Sequence, residues 1–316
     1  MMLSPEALAE GLRLYGLHLI VGSIRELPDG GAIFAARQGS ERRIGWIGET
    51  SPFPAPDPRM LMRVQEHLVW IHPWTWAHYR ILRERLPALS PTRCDRPASF
   101  GAGDRLGMAT AAQIAALERY PVFPVLAQQS PRELARTGRD FRSVLLDAAW
   151  GILASGFAGP FGADADHLQD DEQLRAAAEA GYSLYTFDLR RALAQGPRPW
   201  EALSPLARSV IAELADRRVE TPEGPRTLEE SALRAAACRY EPALEEVVRG
   251  AELLRDQGIA ADLEVSVDET EEETTPEAHA FIAVYLQRRG VALWSLAPRF
   301  PGVFEKAVDY EGEVER

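Results

Sequence analysis

The apolar positions follow two different patterns, and the change falls near Pro97. Before it, Ser4-Pro5-Glu6 opens a short helix that runs to about Tyr15, with Ser as the cap and Pro in the first turn. Three β-like runs follow, Leu17 to Ile24, Ala32 to Arg37 and Arg42 to Ile47, with the turn signal Asp29-Gly30-Gly31 between the first two. That arrangement predicts a small antiparallel meander. Ser51 to Pro58 is rich in proline and reads as a linker. Arg59 to Leu86 reads as a long amphipathic helix kinked at Pro73, carrying Trp70, Trp74 and Trp76 with His67, His72 and His78. Residues 1–95 are therefore expected to form an N-terminal α+β extension.

From Pro97 onward, short apolar runs alternate with helical stretches. The runs are Ala98 to Phe100, Val122 to Ala127, Pro160 to Ala163, Tyr182 to Phe187, Leu263 to Val267 and Val291 to Leu296. Between them lie Thr110 to Tyr120, Arg132 to Gly151, Asp171 to Ala180 and Thr275 to Arg289, with a larger helical insertion at about 200–258. Strand and helix in alternation imply parallel βα units. The fold class expected for residues 96–316 is α/β, a (β/α) TIM-like barrel. Six units are visible where such barrels use eight, so the barrel is expected to be incomplete at its C-terminal end.

Charge and cysteine usage narrow the function classes. A net charge of -12 disfavours nucleic acid, whose binding needs clustered Lys and Arg, and offers no polybasic patch for anionic lipid. Cys94 and Cys238 stand far apart, which suggests neither a disulfide framework nor a cysteine-based zinc site. No apolar run approaches membrane-spanning length, and the N-terminus lacks a basic segment followed by an apolar core. The expectation is a soluble, cytoplasmic protein.

Each run ends in polar residues, and strand C-terminal ends are where (β/α) barrels build their sites. The stretch FGADADHL, Phe161 to Leu168, is the most suggestive. If Ala163 and Ala165 face the wall, Asp164 and Asp166 share the opposite face, because strand side chains alternate with period two. His167 follows at or just past the strand end. An imidazole beside carboxylates there can hold a divalent metal and assist proton abstraction. The competing reading makes Asp164 or Asp166 the cap of a helix over Gln169 to Ala180.

Other strand ends supply further candidates. FGAGDRLG, Phe100 to Gly107, imitates a dinucleotide fingerprint but is one residue too long, and the next strand ends in Gln128-Gln129 where an acidic residue would be needed. Asp104 and Arg105 are candidate substrate groups or, alternatively, a tight Gly turn with a local ion pair. Gln128 and Gln129 are candidates at the second strand end. In SVDETEEE, Ser266 to Glu273, the alternation places Asp268 and Glu269 at the barrel mouth. Arg299 in LAPR can grip a carboxylate through two parallel hydrogen bonds, or pair with Glu305 or Asp309. His67, His72 and His78 are spaced by five and six, share no helical face, and read as packing residues. No serine has a His–acid relay or a G-x-S-x-G elbow.

Taken together, SFGAGDRLGMAT (Ser99 to Thr110), QQSPRELARTGR (Gln128 to Arg139), WGILASGFAGPFGADADHL (Trp150 to Leu168), SVDETEEETTPEAH (Ser266 to His279) and SLAPRFPGVFEKAVDY (Ser295 to Tyr310) resemble the tagaturonate/fructuronate epimerase family in order and spacing. The resemblance covers about 97–310. It implies a metal-dependent barrel enzyme of hexuronate catabolism, a divalent cation (Zn, Mn, Ni or Co) and a ketohexuronate as small-molecule partner. It also implies Asp166 as proton acceptor, His167 as a metal ligand and Glu269 as proton donor. The family pattern continues with a further histidine and an H-S-G-S-D-K segment that supply the remaining metal ligands. Neither occurs here, so a C-terminally truncated chain with weakened metal binding is expected. Two other readings remain open: a metal-dependent class II-type aldolase or sugar isomerase on the same barrel, and an inactive truncated barrel or binding protein.

Overall fold

The computed structural model describes residues 3–27, 30–54, 60–221, 224–303 and 309–312. Asp29 of the turn signal, positions 55–58 of the linker, Glu305, and the last four residues of the acidic tail lie outside the described residues. The chain divides into two compact units, Met1–Asp164 with Glu179–Ser183, and Ala165–Ala178 with Leu184–Arg316.

The first unit opens with α1 (Pro5–Arg13), where the Ser4 hydroxyl accepts from the Ala7 N–H and caps the helix as expected. Six antiparallel strands follow: β1 (His18–Leu19), β2 (Arg25–Glu26), β3 (Ala32–Gln38), β4 (Glu41–Ile47), β5 (Met60–Val64) and β6 (His67–Pro73). Their order is β1-β3-β4-β6-β5, with β2 on β3. Leu8 and Leu12 of α1 bury against Phe34, Met62, Val64, Val69 and Ile71 of this sheet. The expected helix over Arg59 to Leu86 is corrected here: its first half is the β5–β6 hairpin, and only α2 (Trp76–Arg85) is helical. Met62 and Val64, then Val69 and Ile71, are buried with period two, the strand signature. The hairpin turns on Gln65-Glu66 with Gln65 at φ 52°, without the Gly or Asn that normally marks such a turn. His72 and His78 flank the Phe53 ring at centroid distances of 4.7 and 4.6 Å, so they are packing residues of a sheet and helix.

Gly45 on β4 lies opposite Phe34 on β3, and a methyl group on Gly45 would sit 2.0 Å from the Phe34 ring carbon Cζ. Gly45→Ala is expected to destabilise the sheet by about 1–3 kcal/mol through overpacking, read as a lowered thermal midpoint with no change in secondary structure by circular dichroism.

The unit continues with β7 (Ser99–Gly101), α3 (Thr110–Leu117), β8 (Phe123–Gln129), α4 (Pro131–Thr137) and α5 (Phe141–Ser155), β7 and β8 pairing in parallel. The single helix expected over Arg132 to Gly151 is two. Gly138, at φ 64°, ends α4, and Asp140 caps α5. Besides β8 and α3, α5 packs against β3, α2 and the turn at Val21–Ser23. That packing explains why the division lies at 164/165 and not near residue 95.

The second unit takes the end of β9 (Gly162–Leu168), then α6 (Asp171–Ala180), β10 (Leu184–Asp188), α7 (Arg190–Leu193) and α8 (Pro205–Leu214). After these come the hairpin β11 (Arg218–Thr221) and β12 (Gly224–Thr227), α9 (Glu230–Asp256), β13 (Asp262–Ser266), α10 (Pro276–Arg288) and β14 (Ser295–Ala297). The expected insertion at about 200–258 is thus helical but carries a β-hairpin. β13 pairs in parallel with β10 and with β14. With β7 and β8 parallel in the first unit and β10, β13 and β14 parallel in the second, the strands give the α/β fold that strand–helix alternation predicts. Tyr185, Leu263 and Val265 bury one face, while Thr186, Asp188, Glu264, Ser266 and Ser295 share the alternate positions. One face of this sheet is consequently polar although its members are largely buried. Among the described residues no helix is long and apolar enough to cross a membrane.

Candidate active site

β9 is longer than the run Pro160 to Ala163 suggested, and Asp164, Asp166 and His167 lie within it. Ala163 and Ala165 are fully buried, so the aspartates occupy the other face, as alternation requires. The helix-cap reading is therefore set aside for both. His167 departs from strand geometry with φ 56°. This left-handed conformation costs a non-glycine residue on the order of 1–3 kcal/mol and is concentrated at functional positions. His is among the types enriched there.

That backbone turn aims the imidazole into a carboxylate cluster of the second unit. Nδ1 of His167 lies 2.6 Å from Oδ1 of Asp166. A carboxylate can only accept, so Nδ1 carries the proton in this contact. Nε2 lies 3.4 Å from Oδ1 of Asp268 and 4.0 Å from Oε1 of Glu269, yet is buried without an aligned hydrogen-bond partner. Burial opposes the charge on this ring, but its close contacts with the Asp166 and Asp268 carboxylates outweigh it and push its pKa up to about 10.

The carboxylates are held from behind. Burial raises the Asp268 carboxyl, but the contacts with His167 and Ser266 bring it below the usual range. Burial pushes the Glu264 carboxyl up; the Ser295 hydroxyl offsets part of this, and the Asp166 charge adds to it. Arg190, the first residue of α7, pairs through Nη1 with Oε2 of Glu269. A cavity of about 330 Å³ opens beside that pair, lined also by Leu193, Arg239, Thr270 and Glu272.

The remaining candidates separate. In the first unit, Asp104 accepts from the backbone N–H groups of Leu106, Gly107 and Ala109, and Arg105 donates to Glu133 at 2.6 Å. This is the tight turn with a local ion pair. Gln128 donates to Oδ2 of Asp164 at 3.1 Å, and Gln129, 1% exposed, accepts from Arg139 at 2.7 Å. In the second unit, the Thr274 backbone N–H donates to the Arg299 carbonyl at 3.0 Å, and the Arg299 N–H donates to the Thr274 hydroxyl at 2.9 Å. Asp188, Glu264 and Arg190 join Asp166, His167, Asp268 and Glu269, although the sequence did not single out these three as site residues. For Asp188 the signal was present as a polar strand end; Arg190 belonged to no motif.

Once deprotonated, Nε2 would offer one ligand to a divalent cation, with oxygens of Asp268 and Glu269 at 3.4 and 4.0 Å. Among the described residues, however, no three His, Cys, Asp or Glu side chains are grouped to hold a metal ion.

A family model described as tagaturonate epimerase matches residues 22–316. A tagaturonate/fructuronate epimerase of Thermotoga maritima is 40% identical over 241 residues, covering 74% of this chain and 50% of the relative. The glycerol-complexed crystal structure of a fructuronate-tagaturonate epimerase from Cohnella laeviribosi superposes with a TM-score of 0.82 at 26% identity, covering 98% of this chain and 64% of that one. The native crystal structure of the same enzyme gives 0.79. The chain spans about half the length of the curated relative it matches.

Proposed function

This chain belongs to the tagaturonate epimerase family, and on that premise we propose that it carries the proton-transfer half of an enzyme interconverting D-tagaturonate and D-fructuronate in the cytoplasm. The observation that supports this reading most is one buried imidazole with Asp166 on Nδ1 and Glu269 and Asp268 on its Nε2 side. Carboxylates on both sides of one ring support reading Asp166 as base and Glu269 as acid. The parallel strands are taken as members of a (β/α) barrel, with the polar positions of β10, β13 and β14 facing inward.

The two ketohexuronates differ at a hydroxyl-bearing carbon two bonds from the ketone, a position that simple enolisation does not reach. Asp166 takes the proton of that hydroxyl, the bond between the hydroxyl-bearing carbon and the carbon next to the ketone breaks with its electron pair held as the enolate of the ketone fragment, and the aldehyde turns so that the enolate re-attacks its other face. Glu269 returns the proton to the new alkoxide as general acid. Throughout, Asp166 keeps the His167 Nδ1–H as a fixed donor, which leaves its second oxygen for substrate. His167, with Nε2 deprotonated, would give one ligand to a divalent cation, which would supply Lewis-acid stabilisation of the enolate charge.

The test of the activity is incubation with D-tagaturonate, with D-fructuronate followed by chromatography. The bond-breaking step has its own readout. Turnover in deuterium oxide is expected to give product with no solvent deuterium at the inverted carbon, because retro-aldol cleavage leaves that C–H bond intact; label found there by NMR would sink the mechanism. The metal assignment predicts that His167→Asn lowers uptake of Zn²⁺ or Mn²⁺ by about 10–100-fold, as loss of a site-forming group does, measured by calorimetric titration of the metal alone.

A further inference from the structure

We propose that Arg190 is a positioning residue for Glu269, oriented for that task by the buried carboxylate of Asp188. The inference rests on the reading of Glu269 as proton donor. Glu269 stands in the irregular segment just past β13, a strand that ends at Ser266. The turn itself is closed by the Thr270 hydroxyl, which donates to the carbonyls of Val267 and Glu272. These bonds fix the backbone but not the Glu269 side chain, which is 35% exposed. A proton donor must be held to within a fraction of an ångström of its productive position.

Arg190 supplies that hold from a different element. Asp188 ends β10 with its side chain 2% exposed. It accepts from the Arg190 backbone N–H at 3.0 Å, from Nε at 3.2 Å and from Nη2 at 2.7 Å, and Gln169 donates to it at 2.8 Å. Burial would raise the Asp188 carboxyl, but its bonds with Arg190 and Gln169 hold it below the usual range. One edge of the guanidinium is thus saturated by a rigid acceptor, and only Nη1 remains directed away, onto Oε2 of Glu269. An arginine with both ends engaged is suited to fixing another side chain; binding substrate would require giving up one of these two pairs. Its fork geometry is also what a lysine cannot reproduce.

The test combines kinetics with a double-mutant cycle in the protein as it is expressed. Arg190→Ala is expected to lower kcat by about 10–100-fold, the scale of a misplaced reacting group, with KM changed by less than about threefold. Arg190→Lys should recover part of the loss. Asp188→Asn should behave like Arg190→Ala and add little to it. In a Glu269→Gln background, Arg190→Ala should cost almost nothing further, since the group it positions is already gone. The same cycle read by thermal midpoint measures the Arg190–Glu269 coupling independently of turnover. Strictly additive midpoints, or an undiminished kinetic loss in the Glu269→Gln background, overturn the assignment. Absence of ketohexuronate turnover in the parent protein, with the coupling present, instead overturns the proposed activity.

Discussion

Asp166→Asn is expected to lower ketohexuronate turnover by about 10²–10⁴-fold, the range a positioned acid or base contributes, while leaving the fold in place. Asparagine keeps the shape of aspartate, and its amide oxygen can still accept from His167 Nδ1, the bond that is 2.6 Å long in the parent. What it loses is the capacity to take a proton. The side chain is 20% exposed, so the change neither opens a cavity nor strands a fully buried charge. The expected result is therefore a fall in kcat with a thermal midpoint moved by only a few degrees. The comparison with Glu269→Gln is informative, because the two residues serve opposite directions of proton movement and both variants should lose turnover. If Asp166→Asn retains turnover within tenfold of the parent, the base is another group. Glu264 is then the first alternative, since burial raises its carboxyl and the Asp166 charge acts on it.

A control for the imidazole follows from its backbone. His167 sits at φ 56°, and asparagine tolerates this region almost as glycine does. His167→Asn therefore removes the ring without adding strain. A β-branched substitution such as His167→Val would combine both effects and could not separate chemistry from folding.

These residues also show what the sequence could and could not convey. The α/β reading depended on strand–helix alternation, a property of each segment, and it held for β7 to β10, β13 and β14, where helices separate successive strands, but not for the β11–β12 hairpin. Period two likewise placed Asp166 opposite Ala165 without knowledge of neighbours. Local reasoning failed where a long-range partner decided the outcome. Arg59 to Leu86 contains both a helical and a strand rhythm, and pairing of β6 with β4 selects the strand for its first half. The bend at His167 carries no glycine to announce it. Arg190 matters only because parallel pairing of β10 with β13 sets Asp188 opposite Ser266, which brings the start of α7 beside the turn that bears Glu269. No spacing within either segment encodes that meeting.

Arg226→Ala is expected to be the most destabilising surface-accessible change in the second unit, at about 2–4 kcal/mol. Glu277 is fully buried at the second position of α10, and neither carboxylate oxygen has a hydrogen-bond partner. Its compensation comes from two sources. One is the helix N-terminus, whose free N–H groups favour negative charge by about 0.3–1 kcal/mol. The other is Arg226 on the β11–β12 hairpin, with Nη2 3.4 Å from Oε1. Removing one partner of a buried pair costs about 3–5 kcal/mol because the other charge is left uncompensated. Arg226 is itself 48% exposed, so solvent screening reduces that figure. The opposite substitution has the opposite sign. Glu277→Met, similar in volume and uncharged, removes the desolvation penalty and is expected to be neutral or stabilising. Urea unfolding of the four proteins in the cycle decides the matter: Arg226→Ala should cost little once Glu277 is Met, because the hairpin arginine then has no buried charge to answer. An equal cost in both backgrounds would mean that Arg226 stabilises the hairpin by packing, and that the helix terminus alone sustains the buried carboxylate.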